Sequence, residues 1–330
     1  MITKICNYQP GDEPVILDLF KAADAVDKAE RGMSAIDLRE WMTAPHINPS
    51  TDFFIAKADG RPIGFIGVDS LPGQCEAHYA FCNGVVHPDY RRQGAGAQLM
   101  QTAETRALEI MRDFPSGLPK KLNVFCRDTQ ATVKALFESR GMTPARYFLT
   151  MQRDLRTELP IAPVPHGLVI RQFRPGDEEA AYAAFEEAFQ DHWGYEPMPM
   201  NVFRHDYLDA PHFRPELWLL AWDGDQIAGF NFNTVDPAYI ERVGRKEGLV
   251  AEVGVRRPWR KRGVGLALLR AAFREFHGRD YRKVSLGVDV QNITGALRLY
   301  EKAGMRVVRQ FETCEKEIRP GRELRVQTLD

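Results

Sequence analysis

LVAEVGVRRPWRKRGVGLALLRAAFREF, Leu249 to Phe276, is the stretch whose reading decides the fold. Its first seven residues are rich in valine and read as a strand. RKRGVG (Arg260 to Gly265) turns the chain, and Leu266, Leu269, Phe273 and Phe276 then recur at helical spacing. A strand that enters a helix through a glycine turn exposes several backbone N–H groups at the helix start. The helix dipole adds partial positive charge there, so the geometry favours a phosphate. Gly263 and Gly265, flanking Val264, remove Cβ atoms from the ligand's approach, and Arg260, Lys261 and Arg262 add cationic charge. For one such motif alone, a tight turn with solvated basic residues is the better reading. Neither G-K-[S/T] nor G-x-G-x-x-G occurs in the turn, which argues against a nucleoside-triphosphate loop and a dinucleotide fold.

The motif does not stand alone. FCNGVV (Phe81 to Val86), RRQGAG (Arg91 to Gly96) and AQLMQTAETRALEIM (Ala97 to Met111) repeat the order strand, turn, helix, with Leu99, Ala103, Ala107 and Met111 on one helical face. Arg91, Arg92, Gly94 and Gly96 fall at the equivalent phosphate-binding places. The turns lie 169 residues apart, and three further landmarks repeat in the same order. QPGDEPVILDLF (Gln9 to Phe20) matches RPGDEEAAYAAF (Arg174 to Phe185), and IGFIGVD (Ile63 to Asp69) matches AGFNFNT (Ala228 to Thr234), both at an offset of 165. ALFESRGM (Ala135 to Met142) matches RLYEKAGM (Arg298 to Met305) at 163. Surface loops absorb such drifts. A period this long means two whole domains and not a solenoid. LPIAPVPH, with three prolines between Leu159 and His166, reads as a stiff extended linker. The expected domains are therefore 1–158 and 167–330, joined by 159–166.

Each half opens with a PGD turn and an apolar helix. FFIAKADGRPIGFIGV and LWLLAWDGDQIAGFNF follow as hairpins, with Asp59-Gly60 and Asp223-Gly224 at the turns. After the central unit come another strand (KLNVFCR; KVSLGVDV) and a helix ending at Gly141 or Gly304. The alternation predicts mixed α/β (α+β) domains.

Bulk composition limits the function. Forty-four basic residues against forty-five acidic ones give no electrostatic reason for a nucleic-acid or membrane partner. The N-terminus lacks the apolar core of a signal peptide, and no apolar run is long enough to span a bilayer. Cys6, Cys75, Cys82, Cys126 and Cys314 show neither C-x-x-C nor metal-ligand spacing with histidine. The expectation is a cytoplasmic protein without a structural metal. The oligomeric state has no signature.

The sequence resembles the GNAT superfamily of N-acetyltransferases, in duplicate. The resemblance rests on RRQGAG and RKRGVG after strands and on N-x(7)-Y-x(3)-G, here Asn292, Tyr300 and Gly304. It implies two tandem GNAT-like domains, each a mixed, mostly antiparallel sheet flanked by helices. It also implies acetyl-CoA as co-substrate between two splayed parallel strands, with its pyrophosphate on the glycine turn. On that basis Val253 and Val255 give backbone contacts to the pantetheine and the thioester oxygen, and such N–H donors stabilise charge developing on that oxygen.

Acetyl transfer to an amine needs a base, a polarised thioester and an acid for the leaving thiolate. The family pattern assigns the acid to Tyr300, whose phenol keeps its proton at neutral pH; a helix tyrosine packed in the core is the alternative. Asn292 binds the cofactor or caps a helix. Glu252, before the glycine turn, serves as general base, directly or through water, or is a solvated strand residue. By resemblance Asp191, His192 and Trp193 line the acceptor site and suit a cationic amine, against the reading of an ordinary helix end. In the first half Phe137 replaces the tyrosine, Asp128 the asparagine and Asn83 the glutamate. The expected function is acetyl transfer to a primary amine of a small molecule by direct attack, with the first domain non-catalytic. A peptide or protein amine is the enzymatic alternative, and a non-catalytic acyl-CoA-binding regulatory module the alternative of another class.

Overall fold

The computed structural model describes residues 3–28, 33–70, 77–114, 117–161, 163–191, 195, 197–291 and 295–322. In chain order the first repeat forms β1 (Thr3–Asn7), α1 (Glu13–Asp27), α2 (Ala35–Thr43), α3 (Pro49–Asp52), β2 (Phe53–Ala58), β3 (Arg61–Asp69) and β4 (His78–Val86). It continues with α4 (Ala95–Ile110), β5 (Lys120–Arg127), α5 (Ala131–Ser139) and β6 (Thr143–Asp154). The second repeat forms β7 (Leu168–Gln172), α6 (Glu178–Phe189), α7 (Met200–Phe203), β8 (Leu219–Asp223), β9 (Gln226–Thr234) and α8 (Pro237–Val243). β10 (Glu247–Val255), α9 (Val264–Gly278), β11 (Lys283–Asp289), α10 (Ala296–Lys302) and β12 (Arg306–Arg319) complete it. Each repeat is thus a mixed sheet with helices between its strands.

The chain divides into two compact units: Met1–Tyr147 with Phe311–Arg325, and one built on Phe148–Gln310. This corrects a simple cut at the proline-rich segment. The described residues of 159–166 do carry no helix or strand. Compactness, however, assigns the second part of β6 to unit 2, where Phe148 to Asp154 run antiparallel to Asp289 to Lys283 of β11. Likewise Phe311 to Arg319 of β12 run antiparallel to β5 in unit 1. The repeats therefore exchange their last strands, which no local sequence signal announces.

Within unit 1, β1, β2, β3 and β4 pair antiparallel in order, and β4 pairs parallel with β5. In β2 the period of two sorts side chains to opposite faces. Phe53 and Ile55 pack with Ile16, Leu19 and Leu38 of α1 and α2. Phe54 and Ala56 pack with Leu99, Ala103 and Ala107 of α4. Unit 2 repeats the plan, with β7 to β10 antiparallel in the order β7-β8-β9-β10 and β10 parallel to β11. Phe230 and Phe232 of β9 meet Ala181, Ala184 and Phe185 of α6, while Leu269, Phe273 and Phe276 of α9 pack on Val284 and Leu286 of β11. Each such large side chain, once buried, contributes roughly 1.5–3 kcal/mol.

The two PGD turns behave alike: Asp12 Oδ2 accepts from Gln9 N, and Asp177 Oδ2 from Arg174 N, both at 2.8 Å, just before α1 and α6. The hairpins do not. Asp59-Gly60 is the loop between Ala58 and Arg61, as read. In the second hairpin Asp223 pairs with Gln226, so the loop is Gly224-Asp225, one residue later than read. Asp223 is held in the strand and accepts from Trp259 Nε1 at 2.7 Å.

Candidate active site

The site begins where parallel pairing stops. β10 and β11 are paired over Glu247–Lys283, Gly248–Val284 and Leu249–Ser285. β10 then runs on to Val255 and β11 to Asp289 without pairing to each other. One edge of β10 is left open. On its other edge β10 stays paired with β9, through a bulge: Val250 opposes Asn233 and Glu252 opposes Phe232, which leaves Ala251 as the extra residue. A bulge re-aims the side chains that follow it. In unit 1, β4 and β5 also separate, after Phe81–Asn123, but β4 pairs with β3 from Phe81 to Val86 without a bulge. Asn83, at the place of Glu252, therefore sits on a regular strand.

The N–H of Arg256 donates to Ala228 O of β9. Alternation along an antiparallel edge then turns the N–H groups of Val255 and Val253 to the open side. Both residues named from the sequence are thus placed to donate into the gap.

Beyond β10 the turn carries Lys261 at φ 61° and Gly263 at φ 88°, directly before α9. Gly263 has open space around it, and its left-handed backbone is the reason for glycine there. Gly265 differs. A Cβ on it would lie 3.0 Å from Leu299 Cδ2, so this glycine lets α10 close on α9. Gly96 has the same relation to Leu136 of α5, at 3.0 Å. Beside the ligand approach expected from the sequence, Gly265 and Gly96 therefore each have a packing role, against Leu299 of α10 and Leu136 of α5. Val264 is buried at the first turn of α9.

Arg260 is committed within the protein. Its Nε donates to Val255 O at 3.0 Å, Nη1 to Asp191 Oδ2 at 2.5 Å and Nη2 to Ala188 O at 3.3 Å. Asp191 also receives Arg257 Nη2 at 2.6 Å, and its side chain is only 6% exposed. Arg257, then Arg260, hold the Asp191 carboxyl below the usual carboxylate range despite its burial. In unit 1 Arg91 repeats this, donating to Val86 O at 3.2 Å and to Asp27 at 2.7 and 3.0 Å. The first arginine of each turn therefore ties the strand end and the turn to the end of the first helix of its repeat, α1 or α6. Asp191 enters the site as the counter-ion of that tie, already neutralised, instead of as a free carboxylate for a cationic amine. Lys261 and Arg262 remain exposed on the turn, as does Arg92 in unit 1. His192, Trp193 and Asn292 lie outside the described residues.

Glu252 and Tyr300 lie within electrostatic reach of each other. Tyr300, in α10, is 7% exposed; burial raises its pKa, and the nearby Glu252 charge raises it further. Glu252 keeps a small solvent-accessible patch, yet the protein packed around it pushes its pKa up to about 7, partly offset by a hydrogen bond from Tyr207. That bond, Tyr207 Oη to Glu252 Oε1, measures 3.2 Å. A carboxyl poised near neutrality and a phenol that stays protonated are groups chemically suited to accept and to donate a proton at neutral pH. Sequence reading passed over Tyr207, in the polar segment RHDYLDAP, because no motif or spacing marks it.

In unit 1 the gap between β4 and β5 is a cavity of about 560 Å³, lined in part by Arg91, Arg92, Gly94, Asn83 and Phe137. The two positions that depart from Glu252 and Tyr300 thus face the equivalent gap, with an amide in place of the carboxylate and a phenyl ring in place of the phenol. Among the described residues no group of three or more His, Cys, Asp or Glu side chains is arranged to hold a metal ion. No described helix is long and apolar enough to cross a membrane.

Comparison with known proteins agrees with this duplicated geometry. The family model "Acetyltransferase (GNAT) family" matches residues 16–142 and again 178–305. A mycothiol acetyltransferase of Thermobispora bispora is 31% identical over 89% of this chain and 92% of its own. The corresponding protein of Saccharopolyspora erythraea is 29% identical over 89% and 91%. Among solved structures, a GCN5-related N-acetyltransferase from Sphaerobacter thermophilus is 31% identical and superposes over 99% of this chain and 98% of its own, with a TM-score of 0.79. A tandem GNAT protein from the clavulanic acid biosynthesis pathway shares the fold at 18% identity, covering 97% of this chain and 100% of its own with a TM-score of 0.67. With its glycine turn, its opened parallel strands and its family match each present twice, the chain belongs to the GNAT family of acetyltransferases and is an acyltransferase.

Proposed function

We propose that unit 2 transfers the acetyl group of acetyl-CoA to a primary amine of a small molecule, by direct attack in a ternary complex. What supports this is that Glu252, on β10 and with its pKa near 7, lies within electrostatic reach of the protonated Tyr300. The pyrophosphate takes the N–H groups at the start of α9, with Lys261 and Arg262 adding charge. Val253 and Val255 donate to the pantetheine and the thioester oxygen, which lowers the cost of the charge that develops there. The amine nitrogen bonds to the carbonyl carbon and gives its proton to Glu252, directly or through water. The C–S bond then breaks, and Tyr300 passes its proton to the leaving sulfur. The products are an amide and CoA. Relatives named mycothiol acetyltransferases support a small-molecule acceptor over a peptide.

Unit 1 binds acyl-CoA in its cavity without turning it over, since Phe137 and Asn83 carry no exchangeable proton suited to the reaction. The test is thiol release from acetyl-CoA across an amine panel. Tyr300→Phe is expected to lower kcat by about 10²-fold or more, the ordinary worth of a general acid, with the KM for acetyl-CoA little changed. Unchanged kcat refutes Tyr300 as the acid. CoA binding without turnover on any amine favours a regulatory module instead, and turnover confined to peptides moves the acceptor class.

A further inference from the structure

Tyr207 lies in an unusual turn. Directly after α7, Arg204 to Leu208 form one π-helical turn, closed by the bond from Asp209 N to Arg204 O at 2.8 Å. Such turns are rare, cost backbone regularity and recur at functional positions. The Tyr207 ring is fixed among aromatic neighbours, with centroids 5.0 Å from Phe203, 5.3 Å from Phe185, 6.3 Å from Phe232 and 6.4 Å from Trp218. Phe232 is also the residue paired with Glu252 across the β10 bulge. One aromatic wall therefore holds the tyrosine, and the strand opposite it carries the glutamate.

We infer that Tyr207 is a positioning residue for the proton-accepting carboxylate: its hydroxyl holds Glu252 Oε1 and leaves Oε2 for the acceptor. This rests on the reading of Glu252 as the base. The bond is selective between protonation states, because a phenol donates more strongly to a carboxylate than to a neutral carboxyl. Burial raises the Glu252 pKa, and the bond from Tyr207 opposes that rise. The phenol thereby favours the ionised carboxylate, the form that accepts a proton. Tyr207 does not compete as an acid, since burial and then the Glu252 charge raise its own pKa.

The other groups that bear on this pair do not replace it. Tyr300, from α10, is neutral. Asp206 adds to the rise of Tyr207 and is itself bonded to His205 at 2.7 Å on the exposed side. On α6, Glu186 is taken by Tyr195 at 2.9 Å and Glu187 by Arg256 at 2.6 Å. On β9 the neighbours are Asn231, Phe232 and Asn233, none of which titrates.

The experiment compares the pH profile of kcat/KM for the full chain and its Tyr207→Phe variant. Phenylalanine keeps the ring packing and removes only the hydroxyl. The acid limb is expected near pH 7 in the parent and about one pH unit higher in the variant, which lowers kcat/KM at pH 7 about five-fold and restores it toward the parent value at pH 9. A purely structural role lowers the rate at every pH and leaves the limb in place, which overturns the inference. Carboxyl ¹³C NMR gives a second reading without turnover: the Glu252 midpoint, assigned by its loss in Glu252→Gln, moves upward in the variant. An unmoved midpoint also overturns it. The two readings separate through Glu252→Gln itself. If that variant abolishes the acid limb while Tyr207→Phe leaves the limb unmoved, only the present inference fails. If the limb survives Glu252→Gln, the assignment of the base fails.

Discussion

Replacing Glu252 by glutamine tests the buried carboxyl through stability as well as rate. The carboxyl rises from an ordinary 4.5 to about 7 because burial opposes its charge. At roughly 1.4 kcal/mol per pH unit, ionising it in the folded protein costs about 3 kcal/mol more than in the unfolded chain. Solvent that still reaches the carboxyl trims this toward about 2 kcal/mol. The sign follows from proton binding. Between pH 4.5 and 7 the folded state keeps a proton that the unfolded state has released, so stability falls as pH rises through that window. Glutamine matches the shape, still accepts from Tyr207 and never ionises. The stability difference between Glu252→Gln and the parent is therefore expected to be small and constant below about pH 4.5, and to grow to about 2 kcal/mol in favour of glutamine by pH 8. Urea denaturation followed by tryptophan fluorescence measures it, since Trp218, Trp222 and Trp259 all lie in unit 2. A pH-independent difference, or a parent that gains stability relative to the variant as pH rises, refutes the claim that burial raises this carboxyl.

Two more outcomes concern the scaffold. Asp191→Ala leaves Arg257 and Arg260 without their shared counter-ion; it is expected to cost about 2 kcal/mol and to raise the KM for acetyl-CoA several-fold, and unchanged values in both measurements refute the tie. A fragment of residues 167–310 lacks Phe148 to Asp154, the strand that covers β11, so it is expected to aggregate on size exclusion, while residues 148–310, which keep that strand and omit the part of β12 that pairs with β5, stay monodisperse.

Much of the fold was legible because it is written locally. The glycine turn between a strand and an amphipathic helix, the PGD turns and the hairpins depend on residues near one another in sequence, and their duplication made each copy a check on the other. Tyr300 and Glu252 were reachable because one lies within a family spacing and the other just before the turn. Gly265 was read from its motif as a ligand position, and its second role, the close approach of Leu299 to where a Cβ would stand, shows only in the packing. Arg260 and Asp191 were named for ligands, and side-chain geometry shows each taken by the other.

The sequence by itself determined two repeats, a glycine turn in each, and the residue differences between the copies, because repeats and turns are local and the departures at Phe137 and Asn83 are single-residue facts. Only the tertiary structure decided the exchange of last strands, the bulge that re-aims Glu252 and the bond from Tyr207. Those depend on strand pairing and on burial, which arise between residues far apart in the chain. A carboxylate's pKa is set by what surrounds it, and its surroundings exist only after folding.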